Sequence, residues 1–229
     1  MTLTGSPSRP PHLDPPVIAT GIEVRYGNTP VLSDANLVIE AGAELAVTGR
    51  SGSGKTTLLL ILAGLISPNR GTVRWPGLDP DPATRRAQIG LVFQAPSLMP
   101  ELTAAQNVEL PLRLRGFTLD QAHQATQTAL ATVDLSDAAD ALPEQLSGGM
   151  QQRVAVARVL AGTPRLVLAD EPTGALDRAA AFTVLTALRD RISATGGALI
   201  VATHDEELAA LLAHRAVLHA GQLKSAVRL

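Results

Sequence analysis

Hydrophobic positions fall into short, dense runs separated by polar turns. The runs at Val17–Tyr26, Leu45–Thr48, Thr72–Arg74, Ile89–Phe93, Leu166–Ala169, Leu199–Ala202 and Ala216–His219 are continuous or alternating over strand lengths, several dense enough for burial on both faces. Between them, Lys55–Leu65, Arg178–Ala194 and Glu206–Leu212 carry a helical period, with Gly64, Gly196 and Gly197 as stops. Strand and helix in alternation predict an α/β core around a parallel sheet. From about Thr103 to Ala161 the pattern is helical throughout, interrupted by Pro111, Gly116, Pro143 and Gly148–Gly149. This block predicts an α-helical subdomain at about 94–161, inserted into a core made of 17–93 and 162–229. The Pro- and Ser-rich opening, 1–16, has no apolar h-region and is expected to be a disordered tail.

Composition narrows the picture. The 229 residues hold no cysteine, so disulfide and thiolate-metal chemistry are excluded. Net charge is −2, without the basic footprint of a nucleic-acid binder, so no nucleic-acid partner is expected. No apolar stretch reaches the length of a spanning helix. Of 19 basic residues only Lys55 and Lys224 are lysine, which makes Lys55 conspicuous where it stands.

It stands in Gly49-Arg-Ser-Gly-Ser-Gly-Lys55-Thr56, after an apolar strand and opening an apolar helix. That is a phosphate-binding P-loop (Walker A) in its required context. Gly52 and Gly54 supply backbone freedom so that N–H groups can curl around phosphate oxygens. Gly49, Ser51, Ser53 and Thr57 complete the candidate nucleotide contacts. Lys55 is expected on the β- and γ-phosphates of ATP, and Thr56 on Mg²⁺. At the end of Leu166–Ala169 come Asp170 and Glu171, beyond the carboxyl end of a strand, where open α/β sheets bind ligands. Asp170 is expected to hold Mg²⁺ through water, and Glu171 to polarise the attacking water. A third feature, Leu146-Ser-Gly-Gly-Met-Gln-Gln-Arg153, caps a helix with Ser147 followed by Gly148 and Gly149. This is a second anion site by the same physics, and one nucleotide hardly needs two. Contact with ATP held by a second copy of the chain explains it economically.

With that segment the chain resembles the ATPase subunits of ABC (ATP-binding cassette) transporters, from about Val17 to the C-terminus. The resemblance implies further roles. Gln94 looks like the Q-loop glutamine, touching Mg²⁺ and sensing the membrane partner. Asp177 looks like the D-loop aspartate, and His204 like the switch histidine at the γ-phosphate. Tyr26 is similar to the aromatic that stacks on adenine. The resemblance also implies a P-loop NTPase core with an added antiparallel β part, an ATP-dependent homodimer, integral membrane permease subunits as partners, and a place on the cytoplasmic face of the membrane. Met99–Pro111 and Ala169–Asp177 are similar to the branch serving macrolide export, lipoprotein release and cell division. Arg50, Met150 and a short Trp75–Gln88 connection depart from that branch, and short loops there also resemble ATPases of small-molecule importers. Soluble ABC ATPases acting on ribosomes or DNA carry two cassettes or long insertions, which this chain lacks. The apolar loop residues Leu98, Met99 and Pro100 are expected to dock a short cytoplasmic helix of the membrane subunit.

Overall fold

The computed structural model describes residues 14–228, with side chains through Lys224. Most of the expected tail, residues 1–13, lies outside the described residues. Asp14–Pro16 lie against the following fold, the Pro15 carbonyl accepting from the Gly77 amide at 3.0 Å.

The element order is β1 (Val17–Tyr26), β2 (Thr29–Ile39), β3 (Glu44–Thr48), α1 (Lys55–Leu62), β4 (Arg70–Arg74), α2 (Pro82–Ala87), β5 (Ile89–Val92), α3 (Ala104–Leu114), α4 (Leu119–Thr132), α5 (Gly148–Leu160), β6 (Leu166–Asp170), α6 (Arg178–Thr195), β7 (Ala198–Thr203), α7 (Glu206–Ala209), β8 (His214–His219) and β9 (Gln222–Arg228). Two sheets form. A three-stranded antiparallel sheet runs β2-β1-β4, and a six-stranded sheet runs β5-β6-β7-β3-β8-β9, parallel except for β9. This is the α/β fold with an antiparallel part that the sequence implied.

The dense apolar strands are explained by their position. Leu166, Leu168, Ala198, Ile200 and Ala202 face a cluster with α1 and the antiparallel sheet. Their neighbours Val167, Ala169, Leu199 and Val201 face a cluster built with α3, α4, α5 and α6. Each central strand therefore has no solvated face, and polar alternation disappears from its sequence.

The helical block starts its helices as helix-capping chemistry requires. Thr103 and Thr118 each form a capping box, with Gln106 and Gln121 respectively. Pro111, expected to interrupt the helical pattern, instead lies inside α3. The apolar face of Ala104, Val108 and Leu112 is fully buried, and that packing outweighs the lost backbone hydrogen bond, a cost of about 3 kcal/mol in a helix interior. Strands β2 and β9 and helix α2 were not legible as elements. In β2, Pro30, Ser33, Asp34 and Asn36 mask the alternation, and the strand forms because β1 pairs with it along its length.

Parallel strands end together. The carboxyl ends of β3, β5, β6 and β7 lead into Gly49, Phe93, Glu171 and His204, so the P-loop, the carboxylate pair, the histidine and nearby Gln94 share one edge of the sheet.

Candidate nucleotide site

The loop after β3 is shaped by two glycines that nothing larger can replace. A Cβ on Gly49 would lie 2.4 Å from the Leu218 carbonyl oxygen of β8. Gly54, at φ +101°, would place a Cβ 2.9 Å from the Val31 carbonyl oxygen. The loop is thus wedged between β8 and β2, and it delivers Lys55 to the first position of α1.

Lys55 is buried, and its ammonium donates to the Gly49 carbonyl at 2.8 Å while lying 3.9 Å from Glu171 Oε1. Thr56 donates its hydroxyl to Asp170 Oδ2 at 2.5 Å. Burial raises the Asp170 pKa above 3.8, and the neighbouring Glu171 charge pushes the same way, opposed by the Thr56 hydrogen bond and Lys55. A buried, charge-stressed carboxylate beside a hydroxyl is an oxygen-only donor set of the kind Mg²⁺ accepts.

Glu171 is held more tightly still. Its backbone sits at φ +46°, a left-handed conformation costing roughly 1–2 kcal/mol for a residue with a Cβ. The turn is fixed from the neighbouring strand: the Glu171 amide donates to the Ala202 carbonyl at 2.8 Å. Its carboxylate Oε2 accepts from the Thr203 hydroxyl at 3.2 Å, and Oε1 lies 2.8 Å from His204 Nδ1. Thr203 also accepts from the Asp205 amide, and Asp205 caps α7, so the histidine turn is anchored from both sides.

These groups line a cavity of about 390 Å³ together with Ser51, Gly52, Gly54, Thr57 and Gln94. The cavity combines a curled glycine loop at a helix N-terminus, one ammonium, two carboxylates and an imidazole, which fits a polyphosphate with its divalent cation. Val31 of β2 also lines it, unanticipated because β2 itself was not legible. Thr203 was missed too. A buried hydroxyl within an apolar run, in Ala202-Thr-His-Asp205, was the available signal.

Other expected contacts lie apart. Gly49 and Ser53 belong to the loop but do not line the cavity, and Ser53 Oγ is buried without a partner. Tyr26 ends β1 with 59% of its surface exposed, off the cavity wall. Ser147 caps α5, accepting from the Met150 amide at 3.2 Å, and is exposed with Gly148. Asp177 caps α6 through the Ala180 amide. The last two regions touch: a Cβ on Gly149 would sit 3.0 Å from the Ala175 carbonyl. Ser147–Gly149 and Asp177 therefore share a neighbourhood with each other, not with the cavity of their own chain.

Residues 32–174 match the family described as ABC transporter. The chain is 37% identical to the ABC transporter ATP-binding protein YtrE of Bacillus subtilis, covering 90% of this chain and 93% of that one. It is 41% identical to the lipoprotein-releasing system ATP-binding protein LolD of Shewanella frigidimarina, over 86% and 85% of the two chains. Among solved structures, it superposes on a dimeric ATP-binding cassette in a post-hydrolysis state bound to ADP and Pi. That match has a TM-score of 0.85 and 34% identity, over 93% of this chain and 98% of the other.

Proposed function

Since the chain belongs to the ABC transporter family of ATP-binding proteins, we propose that it is the ATP-hydrolysing subunit of a transporter. It pairs with a second copy around two ATP molecules and drives separate membrane subunits. The observation that carries this reading is the split of the motifs. Lys55, Thr56, Asp170, Glu171, His204 and Gln94 line one cavity, while Ser147–Gly149, an equally anion-ready helix start, is not part of its wall, and Ser147 and Gly148 are exposed. A second copy related by a two-fold axis can bring each helix start to the other's cavity.

In the closed pair, the P-loop amides and the Lys55 ammonium hold the β- and γ-phosphates. Thr56, Asp170 and Gln94 would hold Mg²⁺, which would supply positive charge to the phosphate oxygens. Glu171, pinned at both carboxylate oxygens, orients a water and accepts its proton as the oxygen attacks the γ-phosphorus, releasing ADP and phosphate. His204 steadies that carboxylate and faces the γ-phosphate. Ser147 and the amides after it close the far side of that phosphate, with Asp177 beside them, and Tyr26 stacks on the adenine from its exposed position.

The similarity to a lipoprotein-releasing ATPase supports export or force transmission as the task. No described helix is long and apolar enough to cross a membrane; in this reading the chain works with membrane partners, at the cytoplasmic face. Met99 is 51% exposed and its backbone is clamped by Asn107, whereas Leu98 packs on the helical core. Met99 is thus the docking contact of that loop.

The test mixes two inactive variants. Lys55→Ala loses productive ATP binding, and Ser147→Arg keeps nucleotide binding but loses hydrolysis. Heterodimers of the two contain one intact composite site and recover phosphate release. A mixture as inactive as its parts, with heterodimers demonstrated, would sink the shared-site reading.

A further inference from the structure

His204 stands on a wall between two spaces. One is the nucleotide cavity; the other is a cleft of about 280 Å³, lined also by Thr48, Gly49, Glu206 and Arg215. The His204 side chain is 74% exposed, with Nδ1 at 2.8 Å from Glu171 Oε1, so its place depends on the turn that carries it. That turn leads into α7, a helix of four residues. One helical turn has almost no stability of its own, and contacts from other elements must fix it. Ala209 is buried in the core built with the helical block and sets the depth of α7. Glu206, at the start of α7, is held by an arginine from another strand.

Arg215 of β8 is the register partner of Ala46 in β3. Side chains two residues apart on a strand share a face, which puts Arg215 on the same side of the sheet as Thr48, the last residue of β3. Arg215 Nε donates to Thr48 Oγ1 at 3.1 Å, and the Thr48 hydroxyl donates in turn to the Ala216 carbonyl at 3.4 Å. Both terminal nitrogens meet Glu206: Nη2 donates to Oε1 at 2.5 Å, and Nη1 pairs with Oε2. One planar guanidinium thus spans a buried hydroxyl and a carboxylate on separate elements. Thr48 precedes Gly49, whose carbonyl receives the Lys55 ammonium, and Glu206 follows His204 by two residues.

An ion pair whose acid is 66% exposed adds little to stability. What a bidentate fork does fix is distance and orientation. We infer that Arg215 is a positioning residue that holds the His204 turn in register with the P-loop strand, keeping the imidazole against Glu171. Its consequence for hydrolysis rests on the ATPase reading proposed above. Thr203 and Asp205 give the turn its own shape; Arg215 sets where that shape stands relative to Lys55. Glu207 supplies a contrast. It pairs with Arg178 at 2.7 Å, both side chains mostly exposed, and that pair reaches α6 rather than the P-loop strand.

The test measures ATP hydrolysis by variants of the full chain. Arg215→Gln, Glu206→Gln and Thr48→Val should each lower kcat about tenfold and change the KM for ATP less than about twofold, because the phosphate-holding groups stay while the geometry of attack loosens. The double variant Arg215→Gln/Glu206→Gln should lose no more than either single one, as expected of one linked unit. Thr48→Ser keeps the hydroxyl and should restore kcat. Arg215→Lys should not, since its ammonium lacks the fork that meets hydroxyl and carboxylate together. Glu207→Gln should match the wild type. Independently of turnover, the His204 ring resonance in NMR, assigned through His204→Gln, should move in Arg215→Gln and Glu206→Gln and stay in place in Glu207→Gln. Unchanged kcat in Glu206→Gln, a change at a mostly exposed side chain, overturns the inference even if Arg215→Gln fails to fold. So do an equal loss in Glu207→Gln, additive losses in the double variant, or a loss confined to KM. A wild type that never hydrolyses ATP would defeat the ATPase reading instead; the resonance then decides, and one unmoved in Glu206→Gln overturns the role of Arg215.

Discussion

The N-termini of α1 and α5 are built from the same ingredients and end in opposite situations. Each follows a Gly- and Ser-rich turn, and each presents unsatisfied amides and a positive dipole end. At α1 the amides open into a cavity walled by Glu171, Asp170 and Gln94. At α5, Ser147 and Gly148 are exposed, and a Cβ on Gly148 would meet nothing within 4 Å. Equivalent local chemistry thus lines a cavity at one place and lies on an exposed surface at the other. The difference lies in what the surrounding strands bring. Strand ends from β6 and β7 converge on α1, whereas the start of α5 meets the Ala175–Leu176 turn.

The comparison is broken most forcefully at Glu171. Glu171→Gln should lower kcat about 10³-fold, within the range typical of removing a general base, while ATP binding survives and dimers accumulate. Wild-type turnover by this variant in Mg²⁺ would remove Glu171 from the mechanism. Next in size, Ser147→Arg should cost about 10²-fold in turnover, the scale of losing a transition-state anion contact. Monomer nucleotide affinity, followed by a fluorescent analogue, should stay unchanged; a matching loss of monomer affinity would place Ser147 at its own chain's nucleotide.

Alanine at the two turns sharpens the contrast further. Gly49→Ala must displace the β8 backbone and should destabilise the fold by about 1–3 kcal/mol, as overpacking does. Gly148→Ala has open space and should leave the melting temperature unchanged or slightly raised, with hydrolysis reduced through pairing alone. Equal melting temperatures for the two variants would contradict the packing at Gly49.

The smallest effect concerns Asp170. Its raised pKa means the folded state holds a proton more readily than the unfolded chain does. Its contribution to stability is therefore present below the unfolded value of 3.8 and lost as pH rises through the folded pKa. Asp170→Asn should accordingly melt slightly higher than the ligand-free wild type at pH 7, the advantage shrinking as pH falls toward 3.8. Scanning calorimetry across that range checks it, and an advantage that grows on acidification would reverse the sign argument. Added Mg²⁺ and ATP should stabilise the wild type and not the variant.

Residues 49–56 were legible because phosphate binding demands glycines at fixed spacing before a helix, and no tertiary information is needed to see that. Asp170 and Glu171 were legible because a buried parallel strand has a recognisable apolar run and ends where ligands bind. The helix starts at Thr103, Thr118 and Ser147 were encoded locally as well, in a cap residue and the amides after it. What only the tertiary structure decided depends on residues distant in sequence. Strand β2, with Val31 on the cavity wall, has too many polar residues to announce itself and forms by pairing with β1. Pro111 stays helical because the faces of α3 around it are buried. Glu171 holds φ +46° because Ala202, Thr203 and His204 on another strand grip both its amide and its carboxylate. Arg158 reads as one more charge on a helix, yet it clamps the carbonyls of Pro96 and Ser97. Short-range rules see caps, turns and periodicity within a few residues, whereas a hydrogen bond between residues separated by 31 to 62 positions exists only once the fold has brought them together.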